Sequence, residues 1–396
     1  MATIQDVSVR QILGFRGKDT IEVRMRDSEQ RIATCKIPFG VSEGKYEAIY
    51  CSPSEAITRA QNEITPLVKG TSLGNQKDFD SKLIEYDGTP QKKKLGGNLM
   101  LGSSIAYARL SSTNQGIALH DYIAALADNH DGYRVPRILC NIVEGGAHAQ
   151  NDLEFQEHLI IPQSVSIREG ITMIKHYSAL LWDEMEKMKK PFVFGDEGGL
   201  ASSFGTEESL MRLLDQVRVR AEDVFDFGID VAANNVSAFE PKAYGVRYEK
   251  LVEAYPIVYL EDPFPEEGYE SYYRALYERI GEKVSLVGDD LVVTNPLRIK
   301  QFIGTRTING IIVKPDQVGT LTEAIASVRL AKENNWKIAV SHRAQETIDD
   351  YLADIAVGVG ADFVKFGYFY QGERLAKYNR LLEIKESVRM IGKDLQ

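Results

Sequence analysis

Between residues 7 and 39 apolar and polar positions alternate in three short runs, VSVRQILGF (7–15), TIEVRMRD (20–27) and RIATCKIPF (31–39). β-Branched residues are frequent in them and hairpin-length breaks separate them, so they are expected to be strands. Helical periodicity follows around 44–68, 77–85 and 96–126. Strands first and helices after predict a small α+β domain over residues 1–134.

From residue 135 the rhythm changes. Apolar runs end repeatedly in a polar residue, and a helix-length segment follows each: FDFGID (225–230), PIVYLED (256–262), SLVGDD (285–290), GIIVKPD (310–316), KIAVSH (337–342) and DFVKFG (362–367). Their polar termini, Asp230, Glu261, Asp289, Lys314, His342 and Lys365, are separated by 31, 28, 25, 28 and 23 residues. Each interval accommodates one strand, one helix and two short loops. Two further strands, RILCNIV (137–143) and FQEHLII (155–161), precede them, followed by a helical stretch at 166–190. The pattern predicts an α/β fold: an eight-stranded βα barrel of ββαα(βα)6 type over 135–396, behind the smaller α+β domain.

Composition narrows the partners. The 396 residues carry a formal charge of −10, which disfavours nucleic acid or an anionic membrane surface. The three cysteines, Cys35, Cys51 and Cys140, are widely spaced and are expected to be reduced structural thiols. MATIQDVSVR lacks the basic and apolar regions of a signal peptide, and no apolar run reaches membrane-spanning length. A cytoplasmic location is the expectation.

In a βα barrel the chemistry sits at the C-terminal ends of the strands, where the six polar termini fall. Asp230, Glu261 and Asp289 come from consecutive strands with no Cys or His among them, a donor set for a hard cation such as Mg²⁺. Alternation along the strand directs Asp289 to the metal and Asp290 elsewhere, towards Lys314 or His342. The next strands bring Lys314, His342, Arg343 and Lys365. Metal on one side and lysines on the other frame a space for a small polyanion. They suit removal of the weakly acidic proton beside a carboxylate, with one lysine stabilising the enolate-like intermediate and another acting as base.

Further segments carry a family resemblance: YEAIY (46–50), YDGTPQKKKLGGNLMLGSSIAYAR (86–109), GGAHAQN (145–151), QEHLIIP (156–162), GDEGG (195–199), YPIVYLEDPF (255–264), VGDDLVVTNP (287–296), GTLTEA (319–324), SHRAQET (341–347) and ERLAKYNRLLEI (373–384). The chain resembles the enolase (phosphopyruvate hydratase) family over essentially its whole length. The resemblance implies that Asp230, Glu261 and Asp289 hold the first Mg²⁺, and that Ser42 helps to hold a second one bound with substrate. It implies Lys314 as the base at C2, Glu197 with Glu157 as the acid at the departing hydroxyl, and His148 and His342 beside the leaving group. Lys365 would face the substrate carboxylate and Arg343 the phosphate, with Gln156, Ser42 and position 344 also at the substrate. Arg10, Glu22 and Glu386 fall where the family places intersubunit ion pairs, which implies a homodimer.

The departures lie in loops. Gly14-Phe15-Arg16-Gly17 stands for DSRG, and Phe39-Gly40-Val41-Ser42-Glu43-Gly44 for SGASTG. Glu144 replaces the Asn of NGG, Ala147 and Gln150 alter the histidine loop, and Leu200 follows GDEGG. Pro315-Asp316 replaces Val-Asn, and Ala344-Gln345 replaces Ser-Gly. A serine hydroxyl lost at 344 removes one hydrogen bond to a charged phosphate, roughly 1.5–3 kcal/mol, while Glu43 and Asp316 add negative charge near it. Three functions follow: dehydration of 2-phosphoglycerate, the same enolisation on a related phospho- or phosphonoacid as in carboxyphosphonoenolpyruvate synthase, or a catalytically silent relative. The retained charged groups oppose the last. Lys92-Lys93-Lys94 reads as a solvated turn and the aromatic series at 269–280 as helix packing. His120, His130, His158 and His176 show no acid at a paired spacing.

Overall fold

The computed structural model describes residues 2–40, 44–130, 132–387 and the short strand at 390–391. Strands β1 (Ile4–Leu13), β2 (Asp19–Asp27) and β3 (Ile32–Lys36) form an antiparallel sheet in that order. β1 stops short of Phe15 because Gly14 leads into a single helical turn, Phe15–Gly17, in which Arg16 has a φ of 52°. The helix expected from residue 44 begins only at Pro53. Ser52 caps it, accepting the Glu55 N–H while the Glu55 carboxylate accepts the Ser52 N–H, and Pro53 bars the residue before it from helical geometry. The helix expected over 96–126 is two helices, Gly97–Gln115 and Leu119–Leu126, because Gly116 takes the left-handed conformation that ends the first.

Eight strands make the barrel: β4 (Arg137–Glu144), β5 (Glu157–Pro162), β6 (Phe225–Asp230), β7 (Ile257–Glu261), β8 (Ser285–Gly288), β9 (Gly310–Val313), β10 (Lys337–Ser341) and β11 (Phe363–Lys365). β6 to β11 run parallel, and β11 pairs with β4, Phe363 opposite Arg137, to close the ring. β5 runs antiparallel to both its neighbours. Its first residue, Glu157, therefore lies at the same mouth as the last residues of the parallel strands. Leu139, Leu159, Ile161, Tyr259, Val287, Ile312, Ala339 and Phe363 fill the interior below that mouth. Tyr273, Leu276 and Ile280 bury one face of the aromatic helix Glu270–Ile280, as its spacing suggests.

The two parts of the chain dock through buried polar groups. Asp80 is fully buried, and its carboxylate accepts the Thr322 N–H at 3.0 Å, the Thr322 hydroxyl at 2.6 Å and Gln76 Nε2 at 3.1 Å. Lys92 is not solvated as its run of lysines suggests: it is 4% exposed and its Nζ meets Glu323 Oε1 at 2.7 Å. Its partner lies more than two hundred residues away, beyond any local pattern. Nor are the histidines without acids, since His158 Nε2 lies 2.6 Å from Glu207 Oε2 and His176 Nδ1 2.9 Å from Asp223 Oδ2. Among the described residues no helix is long and apolar enough to cross a membrane.

Asp80→Ala strands buried donors and is expected to cost roughly 1–3 kcal/mol, read as a lower urea midpoint. Burial raises the Asp80 carboxyl to about 6 in the folded chain. The native state therefore holds a proton that the unfolded chain releases near pH 4, so this group's contribution falls as pH rises from about 4 to 6. The variant loses that slope.

Candidate active site

Five buried carboxylates and two lysines meet at the mouth. Asp230, the last residue of β6, accepts the Ala232 N–H on Oδ1 at 3.0 Å and Lys365 Nζ on Oδ2 at 2.8 Å. Glu261, the last residue of β7, receives Lys365 Nζ on both oxygens at 3.0 Å, and Tyr259 from the barrel interior donates to its Oε2 at 2.7 Å. Glu157 Oε2 lies 3.1 Å from the same Lys365 Nζ. Asp289 accepts Lys314 Nζ on Oδ2 at 2.5 Å and Gln317 Nε2 on Oδ1 at 3.0 Å. Burial, Asp230 and Asp289 raise the Glu261 carboxyl to about 8, against the opposing pull of Lys365 and Lys314.

Asp290 does not reach Lys314 or His342. Its Oδ2 accepts Asn234 Nδ2 at 2.9 Å, and the Asp262 carboxylate accepts the N–H groups of Asp289 and Asp290 at 3.0 and 2.7 Å. β8 ends at Gly288, so both aspartates lie in the turn after it and strand alternation no longer governs them.

Glu197 and two histidines complete the mouth. Glu197 Oε2 accepts from His342 Nε2 at 3.0 Å and from Asn141 Nδ2 at 3.2 Å. His148 Nδ1 lies 3.7 Å from Glu157 Oε1 and 3.8 Å from Glu197 Oε1. Arg374 fixes the tautomer of His342. Its Nη1 lies 2.6 Å from His342 Nδ1, and a guanidinium only donates, so Nδ1 accepts and Nε2 carries the hydrogen given to Glu197. Burial holds the His342 imidazole neutral, down to about 3, with Arg374 adding to it. Burial and the Glu197 charge push the Glu157 carboxyl well up, whereas the hydrogen bond from His342 and the Arg374 charge hold Glu197 low despite equal burial.

Arg343 is 4% exposed, and its Nη1 donates to Glu47 Oε2 and Asp316 Oδ2, both at 2.8 Å. Ala344 contributes only its carbonyl, which accepts Arg374 Nη2 at 2.6 Å. Gln156 Oε1 accepts Asn235 Nδ2 at 3.3 Å. His148, Gln156, Glu157, Glu197, Asp230, Lys314, His342, Arg343, Ala344 and Lys365 all line one cleft, while Glu261 and Asp289 are off its wall. Ser42 and Glu43 lie outside the described residues. Arg10 and Glu22, expected between subunits, pair with each other at 2.6 Å across β1 and β2.

The acids at the mouth form two donor sets, of which only the second brings its ligand atoms close together among the described residues, the first being held by Lys365 and Lys314. The carboxylates of Asp230, Glu261 and Asp289 supply oxygen alone, the set that suits Mg²⁺. His148, Glu157 and Glu197 bring ligand atoms within 4.8 Å of one another, but an imidazole in the set is less characteristic of that ion. A larger cavity of about 390 Å³ at the other end of the barrel is remote from these groups. There Arg137 pairs with Asp226 and Lys337 with Asp362.

Glu144, Arg374 and Glu47 were not identifiable as site residues from spacing. The Glu144 carboxylate accepts the N–H groups of Glu197 at 3.1 Å and Gly199 at 2.5 Å, which holds the GDEGG loop in place. The one signal for it in the sequence is an acid where the resemblance expects Asn.

A closed barrel with carboxylates, imidazoles and lysines converging on its mouth, joined to an α+β domain, is the framework of a barrel lyase acting beside a carboxylate. Residues 4–123 match the family model of the enolase N-terminal domain, and 132–247 and 241–393 match that of the enolase C-terminal TIM barrel domain. Enolase B of Dictyostelium discoideum is 35% identical, with 98% of this chain and 95% of that protein covered. The enolase of Campylobacter lari is 34% identical, with 97% of each covered, and that of Anaplasma phagocytophilum 34%, with 98% and 95% covered. The chain belongs to the enolase family and is a hydro-lyase of the phosphopyruvate hydratase type.

His342 is expected to stay neutral on acidification from pH 8 to 5. Its ring-proton NMR shifts should not move over that range, whereas an unperturbed histidine titrates near 6.5.

Proposed function

We propose that the protein dehydrates 2-phosphoglycerate to phosphoenolpyruvate. The observation that supports this reading is that Lys314, Lys365, Glu157 and Glu197 line one cleft, with Glu157 3.1 Å from Lys365 and Glu197 held by His342. Lys314 removes the C2 proton, and the electron pair passes into the substrate carboxylate. As that pair returns to form the C2–C3 double bond, the C3 hydroxyl leaves with the proton from the Glu157–Glu197 pair, as water. Lys365 offsets the carboxylate charge, and His148 and His342 orient the acid pair.

Asp230, Glu261 and Asp289 would hold Mg²⁺, which supplies stabilisation of the doubly charged intermediate when bound. Asp289 is also the group that keeps Lys314 protonated. Whatever draws its charge away leaves burial, Arg343 and Lys365, opposed by Glu261, to push Lys314 towards the neutral amine a base requires. Arg343, Gln156 and Ser42 are assigned to the substrate, with Ser42 also at a second Mg²⁺. The protein is proposed to act as a cytoplasmic homodimer.

A second reading has one specific support. Arg343 is engaged by two carboxylates and Ala344 has no hydroxyl, which suits a related acid such as the substrate of a carboxyphosphonoenolpyruvate synthase. Phosphoenolpyruvate formation from 2-phosphoglycerate and Mg²⁺, followed by absorbance, separates the readings: rapid turnover supports the first, and none rejects it.

Two variants separate the proton-transfer roles. Lys314→Ala should abolish exchange of the C2 proton with deuterium, whereas Glu197→Gln should lower elimination by about 10²–10⁴ and still permit exchange. Equal loss of exchange in both would reject the division of roles.

Mg²⁺ affinity should also rise with pH towards about 8, because binding must expel the proton that Glu261 retains. Calorimetry in buffers of different ionisation enthalpy should show proton release. Asp289→Asn should weaken binding, and unchanged affinity would remove Asp289 from the ligands.

A further inference from the structure

Arg343 emerges just beyond β10, on the side of the mouth where the other strand ends are cationic. Two carboxylates nonetheless engage it. Glu47 and Asp316 both accept from its Nη1 at 2.8 Å, so one buried cation faces two buried carboxylates. Asp316 lies in the helical turn Pro315–Gln317 immediately after Lys314 and is 2% exposed. Its Oδ2 also accepts the Tyr50 hydroxyl at 2.7 Å. The geometry is therefore built, with donors from two separate elements converging on one oxygen. An asparagine there would keep an acceptor for both donors and remove the charge.

We propose that Asp316 is a specificity-determining residue that competes with the substrate's anionic group for Arg343 and so weakens this subsite's hold on a phosphate dianion. The inference rests on the reading of Arg343 as the group that receives the substrate's distal anion. A dianion approaching Arg343 meets Asp316 and Glu47 where little water screens them, and like charges in such a place repel strongly. The neighbouring Ala344 offers no side-chain hydrogen bond in return. Tyr50 moderates the competition, because its hydroxyl takes part of the charge on the oxygen that Arg343 shares.

Two substitutions with opposite expected signs test this. Asp316→Asn should lower KM for 2-phosphoglycerate about tenfold with kcat within about twofold of the native value. Tyr50→Phe leaves the whole Asp316 charge to Arg343 and should raise KM by about twofold to fivefold. A role limited to holding the fold would move both variants in the same direction. Calorimetry with inorganic phosphate at pH 8, where the dianion prevails, provides an arm independent of turnover: Asp316→Asn should bind it about tenfold more tightly and Tyr50→Phe more weakly. Unchanged or weaker phosphate binding by folded Asp316→Asn overturns the inference. If Asp316→Asn does not fold, Tyr50→Phe decides alone, and binding that is unchanged or tighter overturns it. Absence of phosphoenolpyruvate from native and variant proteins alike rejects the proposed reaction instead, while the phosphate measurement still decides the role of Asp316.

Discussion

The ammonium of Lys365 is the contact on which the mouth of the barrel depends. It is 2% exposed and lies within 3.1 Å of Asp230, Glu261 and Glu157, groups that could not be buried together without it. The same condition recurs around the rim, where Lys314 offsets Asp289 and Lys377 offsets Glu346. Strand order contributes, since Asp230 and Glu261 end β6 and β7, Lys314 follows β9 and Lys365 ends β11. The pairing of these acids with lysines from other strands is thus a property of the topology.

The site also ties the two domains together. Glu47 and Tyr50 come from the N-terminal part of the chain and reach Arg343 and Asp316 in the barrel. Phe39 and Gln345 exchange backbone hydrogen bonds at 2.9 and 3.1 Å, and Arg109 clamps Asp349. A substitution at this seam acts on docking and on the cleft together, so its effect on turnover must be read beside its effect on stability.

Much of this was legible in the sequence for a physical reason. A charge buried at a strand end is costly, so six apolar runs that each stop at a polar residue mark a functional rim. The antiparallel β5 escaped that rule, since Glu157 opens its strand rather than closing it. Partners far along the chain escaped as well: nothing near Lys92 points to Glu323, nothing near His342 to Arg374, and nothing near Asp316 to Glu47 beside it on Arg343. Asp290 was misplaced because alternation was extended one residue beyond the end of β8. The helices at 44–68 and 96–126 were drawn too long where local signals, Pro53 with its Ser52 cap and Gly116, outweighed apolar periodicity.

Closure of the barrel sets an order of events during synthesis. β4 pairs with β11, made more than two hundred residues later, so a growing chain on the ribosome carries an unpaired sheet edge through most of barrel translation. The acids at 157, 197, 230, 261 and 289 emerge before Lys314, Lys365 and Arg374. Lys365 on the last barrel strand and Arg374 on the helix after it add the final cations in the same stretch of chain that closes the ring. Closure of the ring and the last of its charge balance are thus carried by one C-terminal stretch.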